Sequence, residues 1–197
     1  MLYTRKGDKG TTKTFGCDQR ISKSSAIAEA LGSLDEINSL LGLCKVKCHR
    51  GSNQGLSLKT QTQGLSLVSV SLLNDVQQTL FIIQAELAGA PKTVAKEKVK
   101  AVEKVIDKIE KKLPPTKTFF ISGGTELATL FDYARTVARR AERRAWQAEE
   151  EAKAAGAKSL LGQHSFAYLN RLSSLLYALA RLANHESGIT EESPSYK

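Results

Sequence analysis

The sequence has no long run of apolar residues. No stretch approaches the ~18 consecutive apolar residues that a membrane-spanning helix requires. No apolar segment follows the charged N-terminus, so a secretory signal is not expected either. We therefore expect no membrane contact and a cytoplasmic location, with the mitochondrial matrix as the alternative if a presequence was removed.

Cysteine is scarce as well, with only Cys17, Cys44 and Cys48 in the chain. An odd number of cysteines does not build a disulfide framework, which favours a reducing compartment. Cys44, Cys48 and His49 are close in sequence, but a structural zinc site needs a fourth ligand. We expect no metal ion held by the protein's own residues alone.

The residue patterns of common hydrolases and metalloenzymes are missing. The sequence contains neither Gly-x-Ser-x-Gly nor His-Glu-x-x-His, and its histidines, His49, His164 and His185, are scattered. The paired Glu-x-x-His ligands of di-iron bundles are absent too. If the protein is an enzyme, it works by binding and orienting its reactants, without a nucleophile of its own.

Acidic residues are fewer than basic ones, and the formal net charge is +9 at pH 7. A basic surface attracts polyanions, so nucleic acid and a nucleoside triphosphate are the two candidate partners. The cations are interleaved with acids, and the aromatic residues that would stack on bases are not interleaved with them. The triphosphate is therefore favoured, and a basic helical module that binds nucleic acid is the alternative.

Apolar residues recur at three- and four-residue steps along most of the chain, which predicts amphipathic helices. Almost no segment alternates as a strand does. Pro114 and Pro115 end the third helix, and Gly188 follows the fifth. A single domain over residues 1–197, an all-α bundle, is therefore predicted. Its five helices cover approximately residues 24–46, 67–88, 95–113, 125–155 and 165–186.

Three stretches lie outside the predicted bundle. Residues 1–23 form an N-terminal loop. Residues 47–63 are polar and contain part of a duplicated Gly-Leu-Ser-Leu. We interpret them as a loop insertion, because surface loops tolerate added length at little cost in free energy. Residues 187–197 are expected to be a loose tail.

The N-terminal loop is rich in glycine, threonine and cations. Gly7 and Gly10 let the backbone approach a ligand, and backbone amides, hydroxyls and ammonium groups favour bound phosphate. The order Gly-x-x-Gly-x-x-Lys-Thr differs from a Walker A loop, and no strand precedes it. The segment is either an anion-binding loop or an ordinary basic, disordered N-terminus.

The fourth predicted helix carries the strongest internal signal. Arg135, Arg139 and Arg143 recur at four-residue steps and therefore share one face, with Glu142 beside them. Like charges at that spacing repel, and a solvated face more often mixes signs. Such guanidinium groups bind a triphosphate or pair with carboxylates. A plain basic surface stripe is the alternative.

Other polar and aromatic residues are ambiguous by themselves. Phe119 and Phe120 precede Gly123-Gly124, which is typical of a core contact followed by a turn. Asp35 in the first helix is typical of a solvated acid, and Asn170 in the fifth of a core or capping polar group. Only the combination of motifs can assign them a role.

Five motifs stand in a fixed order along the chain. They are Tyr3-Thr4-Arg5-x-Gly7-Asp8-x-Gly10-x-Thr12, Leu34-Asp35-Glu36-Ile37-Asn38, Phe119 with Gly123-Gly124-Thr125, Arg135-x-x-x-Arg139-Arg140-Ala141-Glu142-Arg143, and Leu169-Asn170-Arg171-Leu172-Ser173. Together they resemble the PduO-type ATP:cob(I)alamin adenosyltransferases, a corrinoid adenosyltransferase family. The resemblance extends from Tyr3 to about Ala183, nearly the whole chain.

The resemblance implies a homotrimer of ferritin-like five-helix bundles, with ATP and Mg²⁺ between adjacent subunits. It also implies that Asp35 forms a salt bridge with Arg139 of the neighbouring subunit. By motif position, the ATP-binding residues would be Thr4, Arg5, Lys6, Gly7, Thr12, Lys13, Lys23, Arg135, Arg139, Arg140, Glu142, Arg143 and Asn170.

The reaction that the resemblance implies transfers the 5′-deoxyadenosyl group of ATP to the reduced cobalt of cobalamin and releases triphosphate. The cofactor itself supplies the strong nucleophile. Phe119 would pack against the lower face of the corrinoid and displace the axial ligand, with Tyr177 in the same apolar pocket. Arg139, Asp35 and Phe119 would thus be the catalytic residues. A flavoprotein or other reductase and a cobalamin-dependent acceptor enzyme are the further partners implied.

The chain departs from the family pattern at one informative position. Ser122 stands where many relatives have proline before Gly-Gly, so Phe120 is the alternative to Phe119 at the corrinoid face. A relative that binds ATP and cobalamin as a carrier or sensor is a further alternative, because the same residues would serve binding. Turnover separates the two.

Overall fold

The computed structural model describes residues 3, 5–15, 20–53, 68–115 and 118–196, without the side chains of residues 49–53. Within these residues the fold is a bundle of five helices, which confirms the all-α prediction. A short antiparallel hairpin precedes them and pairs Thr11 with Ser22. The elements are β1 (Thr11–Thr12), β2 (Ile21–Ser22), α1 (Ala26–Asn53), α2 (Val70–Leu87), α3 (Lys96–Glu110), α4 (Glu126–Ala154) and α5 (Gln163–Glu186).

The apolar stripes of the helices meet in one core. Helix α4 lies between α1 and α5, while α2 packs on α1 and α3 packs on α5. The buried positions of α4 include the small residues Ala134, Ala138 and Ala141. Short side chains at a contact let neighbouring helices approach closely. The polar face of α4 consequently lies beside residues of both α1 and α5.

The Gly123-Gly124 turn fixes where α4 begins. The Oγ1 of Thr125 caps the helix by accepting from the Ala128 amide at 3.1 Å. Gly124 has φ = 98°, and a Cβ at this position would lie 2.2 Å from Oδ1 of Asn184 in α5. Glycine is required there both by the backbone angle and by the approach of α5. The interpretation of this motif as a turn into a helix is confirmed.

Helix α1 is longer than predicted. The loop insertion was expected to begin at Lys47, but α1 continues through Asn53. The Lys47 ammonium pairs with the Glu126 carboxylate at the start of α4, at 2.5 Å. No proline interrupts residues 47–53, so nothing in the backbone prevents the helix from continuing. Residues 54–63 of the predicted insertion lie outside the described residues.

The C-terminal segment also differs from the loose tail that was expected. The chain turns after α5 at Gly188, which has φ = 69°, and then returns along the bundle. The Ile121 amide donates to Glu192 O at 2.8 Å, and Arg181 Nε lies 3.0 Å from a Glu191 carboxylate oxygen. Residues 187–196 are therefore held against α5 and the segment before α4.

The helices bury apolar side chains in the core of the bundle. In the parts of the chain that the structure describes, none combines the length and the apolar character that a membrane crossing requires. In α3, lysines and glutamates surround the buried Val99, Val102 and Ile109.

Candidate functional site

The N-terminal loop forms two turns and then enters the hairpin. The Asp8 amide donates to Arg5 O at 3.4 Å, and the Gly10 amide donates to Gly7 O at 3.1 Å. Arg5 has φ = 58°, a left-handed conformation that is uncommon for a residue with a side chain. Strained backbone of this kind is concentrated at ligand-binding sites. The described part of the loop is a defined structure, which favours the anion-binding interpretation over a disordered terminus.

Arg20 joins the two sides of this loop. Its Nε donates to Thr11 Oγ1 at 2.7 Å, and its Nη2 donates to Lys6 O at 2.5 Å and to Thr11 O at 2.7 Å. One guanidinium therefore satisfies three acceptors on the loop. Sequence reasoning missed Arg20, because two of its three partners are backbone carbonyls, which leave no pattern in the sequence.

Lys23 is brought onto the same loop. Its backbone amide donates to Gly10 O at 2.9 Å. A Cβ placed on Gly7 would lie 3.0 Å from Lys23 Nζ, so a side chain at residue 7 would displace the ammonium group. The predicted site residues Gly7 and Lys23 are thus adjacent in space, and Thr12 follows in β1. Thr4 lies outside the described residues.

The arginines predicted to share one face of α4 are Arg135, Arg139 and Arg143, here called the arginine ladder. The Arg135 Nε lies 3.0 Å from Asp132 Oδ1, and its guanidinium lies 6.0 Å from the centre of the Tyr177 ring. Arg143 Nη1 donates to Arg139 O at 3.1 Å. Asp132 was not anticipated; its carboxylate orients Arg135 toward α5.

Arg140, a predicted ATP ligand, forms an ion pair within the chain. Its Nη2 donates to a Glu36 carboxylate oxygen of α1. Both side chains are about half exposed, so this is a surface ion pair of modest energy. Its main effect is to orient Arg140 toward α1 and away from the cavity described below.

Asn170 and Glu142, both predicted site residues, contact each other. Asn170 Nδ2 donates to Glu142 Oε1 at 3.0 Å. Arg171 Nη1 donates to Asn170 Oδ1 at 2.7 Å, and Arg171 Nε donates to Glu103 of α3 at 2.9 Å. The amide of Asn170 is therefore oriented by a polar chain that crosses from α3 to α4.

A cavity of about 930 Å³ opens between α4, α5, the segment before α4 and the C-terminal segment. Its α4 wall carries the cations, and its other walls carry aromatic side chains. Within the described residues, its lining includes Phe119, Phe120, Asp132, Arg135, Arg139, Tyr177, Ser193, Pro194 and Tyr196. Burial raises the pKa of Tyr177, so its phenol stays neutral at physiological pH. Charged and apolar recognition are thus combined in one space.

Phe119 and Phe120 have different surroundings. The Arg181 guanidinium lies 4.8 Å from the centre of the Phe120 ring, which stacks Phe120 onto α5. Phe119 is 79% exposed and lines the cavity. The fold therefore fixes one ring of the pair and presents the other to a ligand.

Asp35 and Arg139 do not pair within one chain. Asp35 is exposed and accepts from Gln84 Nε2 of α2 at 3.3 Å, whereas Arg139 is exposed at the cavity. The cavity beside the α4 arginines is lined without any described residue of the N-terminal loop.

Cys44 of α1 lies in the core of the bundle, and Cys48 packs beside it. In the described part of the chain, no three His, Cys, Asp or Glu residues form a group that could hold a metal ion. Cys44 is buried, and this burial raises its pKa to about 12. A thiol that stays protonated is a poor metal ligand and a poor nucleophile.

A family model described as cobalamin adenosyltransferase matches residues 2–183. The chain belongs to the cobalamin adenosyltransferase family. Its relatives include the corrinoid adenosyltransferase PduO of Citrobacter freundii, 36% identical over 193 residues, which are 94% of this chain and 50% of that protein. The chain thus spans about half the length of this relative. A corrinoid adenosyltransferase of Bacillus subtilis is 34% identical, with 95% and 89% of the two chains covered.

A solved structure within the cobalamin adenosyltransferase family has the same fold. It is a variant of a PduO-type ATP:corrinoid adenosyltransferase from Lactobacillus reuteri, complexed with cobalamin and ATP. The TM-score is 0.80 at 29% identity, over 100% of this chain and 97% of that one. The resemblance seen in the sequence and the predicted fold are both confirmed.

Three features of this family member escaped sequence reasoning. Two of the acceptors of Arg20 are backbone carbonyls, and Arg171, although it stands in a motif, pairs with Glu103 of another helix. The cavity wall formed by residues 193–196 lies beyond the end of the family match at residue 183. For the wall of residues 193–196, the acidic Glu191 was the signal in the sequence. Only the fold shows that Glu191 pairs with Arg181.

Proposed function

We propose that this chain transfers the 5′-deoxyadenosyl group of ATP to the reduced cobalt of a corrinoid and releases triphosphate. One observation carries the proposal. Arg135 and Arg139, which suit a polyphosphate, line the same cavity as Phe119 and Tyr177, which suit an apolar macrocycle. Membership of the cobalamin adenosyltransferase family supports the same reaction.

We propose that ATP binds between two subunits of a homotrimer. The loop half carries the hairpin, Gly7 and Lys23, and the helix half carries the α4 arginines. No described residue of the loop half lines the cavity beside the arginines of the helix half. A partner in rotational symmetry would bring the loop of one subunit to the helix of the next. Asp35 and Arg139, each exposed, would then pair across the interface. The loop ligands would be Thr4, Arg5, Lys6, Gly7, Thr12, Lys13 and Lys23.

The arginines would act on the leaving triphosphate. As the bond from the ribose C5′ to its oxygen breaks, negative charge develops on the triphosphate. Fixed guanidinium groups and loop amides stabilise that charge because they need no reorganisation. Arg135, Arg139 and Arg143 of α4 would be the guanidinium groups that do this. Asn170, which donates to Glu142, would orient the nucleotide. Arg140 would have to leave its ion pair with Glu36 to reach the triphosphate.

Mg²⁺ would accompany the triphosphate. This ion is usually held by substrate phosphates with only one or two protein carboxylates. Glu142, fixed by Asn170 beside the arginines, is the carboxylate suited to that position. The ion would add positive charge near the leaving group, and the protein's part is to hold the nucleotide in line.

The aromatic wall would serve the corrinoid. Phe119 would pack on its lower face, exclude water and displace the axial ligand, so that cobalt(II) becomes easier to reduce. Phe119 is exposed, whereas the Phe120 ring is stacked on Arg181. This difference supports Phe119 over Phe120 in this role. Tyr177 would complete the apolar contact as a neutral phenol.

The test is an anaerobic assay with chemically reduced cob(I)alamin, Mg-ATP and the purified chain. We expect growth of the optical spectrum of the light-sensitive cobalt–carbon product, with an equimolar amount of triphosphate. Binding of both ligands without turnover would indicate a carrier or sensor instead. If neither ligand binds, and the chain instead binds nucleic acid with steep salt dependence, the proposal is wrong.

A further inference from the structure

The last ten described residues form a strap across one end of the bundle. This C-terminal strap, residues 187–196, runs beside residues 118–122, here called the aromatic segment. The Ile121 amide donates to Glu192 O at 2.8 Å. The hydroxyls of Thr118 and Ser193 are 2.7 Å apart. Two hydrogen bonds thus join the strap directly to the residues on both sides of Phe119 and Phe120.

A buried polar network fastens the strap to α5. Glu191 Oε2 accepts from Arg181 Nε at 3.0 Å, and the two side chains are only 16% and 9% exposed. Asn184 Nδ2 donates to Glu191 Oε1 at 3.4 Å and to Gly123 O at 3.0 Å. A buried pair of this kind is strongly coupled to its surroundings, because removing one partner leaves the other desolvated.

The same network also contacts the aromatic segment through Arg181. The Arg181 guanidinium that pairs with Glu191 also lies under the Phe120 ring. Thr118, Phe120 and Ile121 are therefore each held by the strap or by its anchor. Phe119 points away from these contacts into the cavity. Its direction is set by neighbours that the strap holds.

We propose that the C-terminal strap positions Phe119, and that Glu191 is the residue that fastens it. This inference rests on the proposed function, since it gives the strap a task on the corrinoid side of the cavity. An aromatic ring that must displace a ligand has to be held in place while it does so. Glu191 acts through Arg181 and the aromatic segment, so it is a positioning residue.

The decisive variant is Glu191→Ala, which removes the carboxylate that faces Arg181. Glu186→Ala is the matched control, since Glu186 is an exposed acid five residues earlier in the chain. We expect Glu191→Ala to slow adenosylation about tenfold when the reaction starts from cobalt(II) with a reductant. Starting from cobalt(I), the rate and the KM for ATP should stay within about twofold. Glu191→Gln, which keeps an acceptor for Arg181, should recover part of the loss.

Two further measurements separate this proposal from the proposed function. Hydrogen exchange at the Ile121 amide should accelerate in Glu191→Ala but not in Glu186→Ala, whether or not the enzyme turns over. The variant Ser193→Ala, which removes only the exposed contact with the Thr118 hydroxyl, should show a smaller effect of the same selectivity. Unchanged exchange, or equal losses from cobalt(II) and cobalt(I), would overturn the strap's role. Wild-type protein that does not adenosylate either form would instead overturn the proposed function.

Discussion

Arg20 shows how a single side chain can organise a loop. Its guanidinium bonds to Thr11 Oγ1 and to the carbonyls of Lys6 and Thr11, and so joins the first turn of the loop to the hairpin. An alanine there would leave these acceptors to water. The backbone amides would then no longer be fixed where a phosphate needs them.

We expect Arg20→Ala to raise the KM for ATP about tenfold and to change kcat by less than about threefold. The affinity for cob(I)alamin should not change. Lys9→Ala is the control, because Lys9 is an exposed cation of the same loop without a place in the proposed site. Equal effects of the two substitutions would show that only the charge of the loop matters.

Cys44 gives a pH dependence of stability that can be measured directly. Burial raises its pKa to about 12, from about 9 in the unfolded chain. Below pH 9 both states keep the proton, and stability is unaffected. Between pH 9 and 12 the unfolded state loses it first, so the free energy of unfolding falls by ~1.4 kcal/mol per pH unit for this group.

Urea unfolding at pH 8, 9 and 10 tests this expectation. The wild-type protein should lose more stability over this range than Cys44→Ala, which lacks the group. Burial also raises the pKa of Cys48. Part of the pH dependence of stability will therefore remain in Cys44→Ala. Parallel pH profiles for the two proteins would contradict the assignment to Cys44.

At the scale of elements, the start of α4 depends on one glycine. Gly124→Ala would impose φ = 98° on alanine and place its Cβ 2.2 Å from Asn184 Oδ1. Gly156 also has a positive φ, 73°, but a Cβ there meets nothing within 4 Å. We expect unfolding free energy to fall by ~3 kcal/mol for Gly124→Ala and by ~1 kcal/mol for Gly156→Ala.

Thermal and urea denaturation of the two variants would measure that difference. A larger loss of unfolding free energy in Gly124→Ala than in Gly156→Ala would show that the contact with α5 adds to the backbone strain. Similar losses in both variants would mean that the Asn184 side chain moves aside easily, and that α5 does not fix the turn.

The helices could be predicted because their apolar spacing is regular and their stop signals are local. The end of α1 was missed because what continues it is not local: Lys47 pairs with Glu126, far along the chain. The tail was missed for the same reason, since the Glu191 to Arg181 pair exists only once α5 has folded. The arginine ladder was visible at helical spacing, but no spacing shows that Arg140 pairs with Glu36.

At the scale of the whole molecule, the proposed ATP site draws on two parts of the chain, the N-terminal loop and the α4 face. No described residue of the N-terminal loop lines the cavity beside the α4 arginines, so we propose that neighbouring subunits complete each other. Two inactive variants with damage in different halves should then restore activity when their subunits are mixed.

Arg5→Ala damages the loop half, and Arg139→Ala damages the helix half. Unfolding and refolding an equal mixture should recover about a quarter of the wild-type sites, because a site needs the intact half of each variant. Separately refolded variants, mixed afterwards without exchange, are the control. No recovery in exchanged mixtures would indicate that each chain builds its own site.

Tyr196 lines the cavity, so any polypeptide joined after it begins at the rim where the corrinoid would enter. An affinity tag at that end would crowd the entrance and pull on the strap. Activity measured on such a fusion would then understate turnover from cobalt(II) more than turnover from cobalt(I). The position of a purification tag is thus itself a variable of the experiment.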